Sequence, residues 1–131
     1  MPRVARSDLR VFRETLFVFG DNMERRGYGG QAKEMRGEPN AVGVPTKWNP
    51  GRWPSSYFSD AALDNPDVVA AIDGALDRLL AHLRAGGSVV IPADGLGTGL
   101  AALPVRAPAV FRYIEQKISE LMLHEANSHG P

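Results

Sequence analysis

The sequence contains no cysteine, which excludes disulfide bridges and thiolate metal sites. It also lacks any apolar run approaching the roughly 20 residues that a membrane-spanning helix needs. The 15 basic and 15 acidic residues balance, so no overall field draws the chain toward nucleic acid or a membrane. The first residues carry arginines but no long apolar core, and we therefore expect no signal peptide and a cytoplasmic location.

Motifs for metal and serine chemistry are also missing. No pair of the three histidines has metal-ligand spacing near a carboxylate cluster, and no serine lies in a nucleophile-elbow context. We therefore expect neither a metal site nor a cofactor. What is present is ordinary for a folded protein: 131 residues with 44% hydrophobic composition are enough for one domain with a core, and we predict a single domain over 1–131.

Apolar patterning predicts two amphipathic helices. The first begins at Pro66, after the N-cap Asn65, and ends at Gly86, because its apolar residues recur at three- and four-residue steps. The second lies within 105–126. A shorter helix of two or three turns is predicted within 29–37, between its glycines.

Short apolar, β-favouring runs predict strands at 15–20, within 40–47 with an end at Pro45, and at 88–93. Strands that alternate with helices predict an α/β layered fold with a mixed, largely parallel sheet. In such sheets ligands bind beyond the carboxyl ends of the strands. Two glycine-rich loops follow predicted strands at such ends and are therefore candidate ligand sites.

The first loop lies within FGDNMERRGYGGQAKEMRG, positions 19–37. Its glycines Gly27, Gly29 and Gly30 allow either a close backbone approach to a phosphate or a tight surface turn. Asp21 and Asn22 follow the first predicted strand. Their side chains could read a base or a ribose hydroxyl, or form an Asx turn or helix cap.

The second loop, within IPADGLGTGLAALP, is the stronger signal. Three glycines alternate with Leu96 and Thr98, so that successive amides can form an anion-binding concavity. The loop lacks the lysine of a P-loop and the spacing of a dinucleotide fingerprint. The alternative is a glycine-rich turn into the last helix.

Lys47 lies at a strand end, where a lysine can act as a point charge, as a nucleophile if burial lowers its pKa, or simply as a solvated loop residue. A cluster of aromatic residues follows it and could stack a flat base or pin a long loop. These residues are Trp48, Trp53, Tyr57 and Phe58. Asp60 could be a helix cap, a ribose ligand or a catalytic acid.

Several short motifs, taken in order, make the chain resemble a macrodomain, a three-layer α/β/α module that binds ADP-ribose. They are FVFGDN, GYGGQA, AVGVPTK, VVIPADGLGTGLAALP and VFRYIEQKI. The resemblance covers roughly residues 15–122, which we expect to form the core. It is greatest to the branch that includes the terminal ADP-ribose protein glycohydrolase and the DNA ADP-ribosyl glycohydrolase antitoxins.

The resemblance implies roles for individual residues. Lys47 corresponds to a lysine that can attack the anomeric carbon of the distal ribose, and Asp94, Asp21 or Asp60 could substitute for the family's catalytic aspartate, which is missing at its expected place. An aspartate that resolves the lysine adduct often follows the leucine of the second loop, but here Ala101 follows Leu100. The ligand-binding residues implied are Gly20, Asn22, Gly27, Gly29, Gly30, Gln31, Thr46, Gly95, Leu96, Gly97, Thr98, Gly99 and Leu100.

The resemblance leaves three functions open. The chain binds ADP-ribose or a related nucleotide and hydrolyses an ADP-ribosyl linkage on a protein or a nucleic acid, it is a non-catalytic reader of such a ligand, or it keeps the fold without a ligand. The expected partner is ADP-ribose or an ADP-ribosylated macromolecule, with nucleic acid only as a modified substrate and no membrane. A carboxylate within reach of Lys47 would favour the enzyme, and a Lys47 that points to solvent would favour the reader.

Overall fold

The computed structural model describes residues 4–91 and 103–128, which form a parallel sheet with helices around it. The strands are β1 Thr15–Asn22, β2 Ala41–Lys47 and β3 Ser88–Val90. The helices are α1 Arg6–Val11, α2 Ala32–Met35, α3 Pro66–Arg84, α4 Leu103–Arg106 and α5 Pro108–Ser128, and two short 3₁₀ helices span Pro54–Ser56 and Asp60–Asp64. The predicted α/β fold is confirmed.

The three described strands are ordered β2-β1-β3, and β1 pairs in parallel with both neighbours. Phe17 of β1 pairs with Val90 of β3, and Asn22 pairs with Lys47 of β2. The carboxyl ends of β1 and β2 therefore lie side by side, while β3 runs in the same direction and its described part ends beside Phe17, five residues before the end of β1. Strand β1 is two residues longer than the predicted 15–20, so that Asp21 and Asn22 belong to its end rather than to the loop.

Side chains alternate along β1 and divide the core between the two faces of the sheet. Leu16 and Val18 pack in a cluster with the buried residues of α3 and α5. Phe17 and Phe19 face the other way and pack with residues of α1 and α2. The described residues therefore form three layers, with helices over both faces of the sheet.

Helix α3 begins and ends where the sequence predicts. The side-chain oxygen of Asn65 accepts a hydrogen bond from the Asp67 amide at 2.9 Å, and Pro66 occupies the first helical position. Gly86 follows the helix with a φ of +90°, a left-handed conformation that favours glycine. None of the described helices is long and apolar enough to cross a bilayer.

Two helix predictions are wrong in detail. The helix predicted within 105–126 is divided into α4 and α5, because Pro108 disfavours a helical conformation at Ala107 and lacks an amide proton. Helix α2 has four residues rather than two or three turns, because Arg36 is extended and Gly37 has a φ of +95°. The end of the third predicted strand lies outside the described residues, as do the second glycine-rich loop and residues 129–131.

Candidate ligand-binding site

The carboxyl edge of the sheet brings two of the predicted site residues side by side. Asn22 ends β1 and Lys47 ends β2, and the two are partners in the strand pairing. Strand β3 runs parallel to β1, but its last residue Val90 pairs with Phe17, five residues before Asn22. The second glycine-rich loop comes next along the chain, but Asp94 and 95–100 lie outside the described residues, so their roles stay predictions.

Asp21 is held by two arginines at this edge. Its side chain is 3% exposed, and it forms ion pairs with Arg36 and with Arg25, the latter at 3.3 Å. The same carboxylate accepts a hydrogen bond from the backbone amide of Asn22 at 2.8 Å. These contacts engage both carboxylate oxygens and indicate a structural role, while the catalytic role of Asp21 stays a prediction.

Arg36, directly after α2, fastens the first glycine-rich loop to the sheet. Its Nε donates to the carbonyl of Gly27 at 2.7 Å, and its Nη2 donates to the carbonyl of Arg26 at 3.3 Å. The guanidinium also lies 5.5 Å from the ring centroid of Phe19. Sequence reasoning missed Arg36, because nothing in the local pattern connects it to a strand end fifteen residues earlier.

Gly43 is a second residue that sequence reasoning missed. A Cβ at this position would lie 2.5 Å from Oδ2 of Asp21, so the carboxylate occupies the space that a side chain would fill. Arg25 donates to the carbonyl of Gly43 at 2.8 Å and links it to the same network. An isolated glycine within a predicted strand is the signal that could have indicated this close approach.

Different structural features explain the individual glycines of the first loop. Gly27 has a φ of +95°, and a Cβ there would lie 2.8 Å from Cβ of Pro50, so the tight turn accounts for this glycine. Gly30 also has a positive φ, at +57°. Within the described ranges, the amides of Gly29 and Gly30 donate no backbone hydrogen bond, and both residues are exposed. Their predicted contact with a phosphate stays open.

The remaining predicted ligand residues of this half of the site lie on or beside the strands. Thr46 is buried, and its hydroxyl donates to the carbonyl of Asp21 at 3.2 Å, which ties β2 to β1. Gly20 lies within β1, and Gln31 is the N-cap residue of α2. The structure therefore places Gly20, Asn22, Thr46 and Lys47 in the carboxyl-terminal halves of two neighbouring strands.

The side-chain oxygen of Asn22 is the atom of the site that most directly indicates a ligand. The residue is 5% exposed, and its Nδ2 donates to the carbonyl of Arg26 at 2.7 Å. Its Oδ1 is buried and has no hydrogen-bond partner among residues 4–91 and 103–128. A buried acceptor without a partner costs about 1–3 kcal/mol and is rare in native structures. A ligand that donates a hydrogen bond to Oδ1 would remove this cost.

Lys47 is buried rather than solvated, with 7% of its surface exposed. Its ammonium donates to the carbonyl of Gly51 at 2.7 Å and lies 4.5 Å from the ring centroid of Tyr57. Burial lowers the pKa of Lys47, and the charge of Arg52 lowers it further. No carboxylate forms an ion pair with Lys47 among the described residues, so neither of the two arrangements that would discriminate enzyme from reader is found.

The aromatic residues after Lys47 divide into separate roles. Trp48 and Phe58 pack edge to face with ring centroids 4.9 Å apart and join the core, so they pin the loop. Tyr57 forms a β-bridge with Lys47 and carries the guanidinium of Arg106 4.4 Å from its ring centroid. Trp53 is 76% exposed and remains available to a ligand.

Asp60 acts as a helix cap. Its Oδ1 accepts a hydrogen bond from the amide of Ala109 at 2.8 Å, in the first turn of α5. Ala107, which precedes the helix, has no side-chain acceptor of its own, and Asp60 supplies one from a distant part of the chain. Of the three roles open from the sequence, this contact supports the cap.

Two cavities lie away from the strand ends. One of about 450 Å³ is at the amino edge of the sheet and is lined by residues that include Arg13 and His82. The other, about 410 Å³, is a groove between β2 and α3. Neither contains Asn22 or Lys47. Within the described ranges, no group of three or more histidine, aspartate or glutamate residues could hold a metal ion.

Comparison with known proteins identifies a family but not a function. No curated protein and no solved structure matches the chain. A protein-family model matches residues 2–117, which is most of the chain, and its description is "Family of unknown function (DUF7831)". The chain therefore belongs to the DUF7831 family.

Proposed function

We propose that the chain binds ADP-ribose or a related phosphorylated nucleotide at the carboxyl edge of its sheet. The observation that carries the proposal is that the buried Oδ1 of Asn22 has no partner among the described residues, while its strand partner Lys47 is buried and has no counter-ion among them. The acceptor suits a ribose hydroxyl or a base N–H, and the ammonium suits an oxygen-rich or anionic group.

The first glycine-rich loop supports a phosphate in this ligand. The exposed amides of Gly29 and Gly30 have no backbone acceptor within the described ranges, and Arg36 fixes the loop that carries them. Backbone amides of such a loop can bind phosphate without any net charge on the protein. In this proposal Asn22 reads the nucleoside or a ribose, and Lys47 faces the distal ribose.

Hydrolysis of an ADP-ribosyl linkage is the second candidate function, and the lowered pKa of Lys47 favours it. A neutral amine can attack the anomeric carbon of the distal ribose, whose bond to the leaving group breaks as that group takes the bonding pair and a proton. Attack by water then releases ADP-ribose and restores the lysine. Binding remains the first proposal, because no described carboxylate contacts Lys47 to assist either step.

Calorimetric titration tests the binding proposal. We expect ADP-ribose to bind more tightly than ADP, NAD or cyclic nucleotides. Asn22→Ala and Lys47→Ala should each weaken ADP-ribose by about tenfold, the effect of one lost polar contact. Lys33→Ala, which removes an exposed lysine from α2, is the matched control and should bind like the wild type. Circular dichroism verifies that each variant is folded.

Two results would contradict the proposal: no heat from a folded sample with ADP-ribose or any of the other nucleotides, or binding that Asn22→Ala and Lys47→Ala leave unchanged. Hydrolysis needs a separate measurement, the release of ADP-ribose from modified protein and modified DNA. Release by the wild type that Lys47→Ala abolishes and Lys33→Ala leaves intact would establish the second function. Binding without release from either substrate would restrict the chain to a reader.

A further inference from the structure

Two positive charges, Lys47 and Arg106, lie over the ring of Tyr57, and a third, Arg52, acts on Lys47; we call the three the Tyr57 cation cluster. The ammonium of Lys47 and the guanidinium of Arg106 lie 4.5 Å and 4.4 Å from the ring centroid. Arg52 is close enough for its charge to lower the pKa of Lys47. The cluster joins the loop after β2 to α4, at the edge of the sheet where Asn22 lies.

No acidic side chain compensates this cluster among the described residues. The ion pairs of the first loop and of α1 use the carboxylates of Asp21, Glu24 and Glu38, and none of them involves a member of the cluster. The protein has as many acidic as basic residues, so the local excess of positive charge is a matter of placement. Like charges held together with one of them buried are unfavourable unless an anion joins them.

The packing of the cluster leaves its donors available. Arg106 is exposed and stacks on Tyr57, an arrangement that leaves the N–H groups at the edge of its guanidinium free for a planar, forked contact. Arg52 is exposed in the loop after β2. Lys47 donates one hydrogen bond, to the carbonyl of Gly51, and an ammonium has three donors. Buried neighbours Leu103 and Ala107 fix α4, and with it Arg106, on the core.

We propose that the Tyr57 cation cluster binds a phosphoryl group, with Arg52 and Arg106 as its outer ligands and Lys47 as its inner one. A guanidinium fork and an ammonium point charge are the side chains that bind phosphate oxygens in proteins. The inference rests on the proposed function only for the nucleoside and ribose parts of the ligand. The phosphoryl anion itself follows from the cluster, and inorganic anions can test it separately.

A purely structural role for Arg106 makes a different prediction. Stacking of an exposed arginine on a tyrosine stabilises a fold by about 0.5–1 kcal/mol, so a structural Arg106 would affect the melting temperature and leave anion binding unchanged. Affinity for a phosphate anion is therefore the readout that separates the two roles. Arg112, an exposed arginine on α5 without an ion pair among the described residues, provides the matched control.

The experiment titrates the full chain with pyrophosphate, inorganic phosphate and ADP-ribose by calorimetry. We expect pyrophosphate to bind the wild type, and Arg52→Ala and Arg106→Ala each to weaken it by about tenfold, the effect of one charge-assisted contact. Arg112→Ala should bind pyrophosphate like the wild type. Arg106→Lys should bind less tightly than the wild type and more tightly than Arg106→Ala, because it keeps the charge and loses the fork.

Failure to bind pyrophosphate or phosphate would overturn the inference, as would binding that Arg52→Ala and Arg106→Ala leave unchanged. ADP-ribose binding that is independent of both arginines would overturn the inference and leave the proposed function standing. Pyrophosphate binding that depends on both arginines, with ADP-ribose no tighter than pyrophosphate, would support the anion site and contradict the proposed function.

Discussion

At the scale of single residues, the contacts of Asp21 determine the shape of the candidate site. Arg25 comes from the loop after β1 and Arg36 from the end of α2, and both form ion pairs with the carboxylate of Asp21. Gly43 of β2 leaves the space that this carboxylate occupies. One buried charge thus holds a strand end, a helix end and the first glycine-rich loop together, and the loop carries the amides that we propose for phosphate binding.

The buried position of Asp21 predicts a large effect on stability. Asp21→Asn keeps the shape of the side chain but removes the charge that Arg36 pairs with, so we expect the free energy of unfolding to fall by about 3 kcal/mol. Glu24→Gln is the matched control, because the pair of Glu24 with Arg26 is exposed and should contribute less than about 1 kcal/mol. Urea denaturation measures both values, and equal losses would contradict the structural role.

Lys47 predicts a dependence of stability on pH. Its folded pKa is lowered by burial and by Arg52, below the unfolded value of about 10.4. The charged form is therefore penalised in the fold, and the penalty disappears as the pH rises from the folded to the unfolded pKa. Across that window, wild-type stability should rise relative to Lys47→Met, a variant that does not titrate.

Two measurements check this prediction for Lys47. Urea denaturation of the wild type and Lys47→Met at a series of pH values gives the relative stability, and NMR titration of the lysine side chain gives the pKa. Arg52→Ala should raise the pKa, because it removes a neighbouring positive charge. A pKa of Lys47 at or above the ordinary value, with parallel stability curves for the two proteins, would contradict the prediction that burial penalises the charged ammonium.

The sequence predicted Asn22 and Lys47 as site residues because both stand where an apolar strand ends. It did not predict that Oδ1 of Asn22 lacks a partner or that Lys47 is buried, because both facts depend on the loop after β2 folding back over the strand. The Tyr57 cation cluster could not be predicted from the sequence either. Arg106 and Tyr57 are far apart in sequence, and only the packing of α4 brings them together.

At the scale of helices and strands, local signals explain what the sequence predicted. Asn65 and Pro66 mark the start of α3 through interactions within one turn, and apolar spacing defines its buried face. The start of α5 depends instead on Asp60, which lies in a separate 3₁₀ helix. A cap supplied across such a distance leaves no pattern in the neighbouring residues, so the role of Asp60 stayed open until the fold was known.

The cap on α5 makes a prediction at this scale. Asp60→Ala removes the acceptor for the amide of Ala109 and should lower the free energy of unfolding by about 1 kcal/mol, whereas Asp60→Asn keeps an acceptor and should cost less. Asp64→Ala, at the exposed end of the same 3₁₀ helix, serves as the control and should change stability by less than about 0.5 kcal/mol. If Asp60→Ala proved as stable as Asp64→Ala in urea denaturation, the cap would not contribute to the stability of the protein.

At the scale of the whole molecule, the parallel pairing of β1 with β2 places the candidate site residues together at the carboxyl ends of these strands. Asn22, Lys47 and the Tyr57 cation cluster all lie there, while helices bury both faces of the sheet. The opposite edge and the groove between β2 and α3 hold the two cavities that lack these residues. Among the described residues, Arg25 and Gly43 line the groove and also contact Asp21, and our account assigns the ligand to the carboxyl ends of β1 and β2.

The most direct test is an NMR titration of the uniformly ¹⁵N-labelled chain with ADP-ribose. The account predicts that the largest shift changes occur in the side-chain amide of Asn22 and in the backbone amides of 27–30 and 47–57, with little change along the groove between β2 and α3. Saturable changes confined to that groove or to the amino edge of the sheet, or no changes at all, would contradict the assignment of the ligand site to the carboxyl ends of the strands.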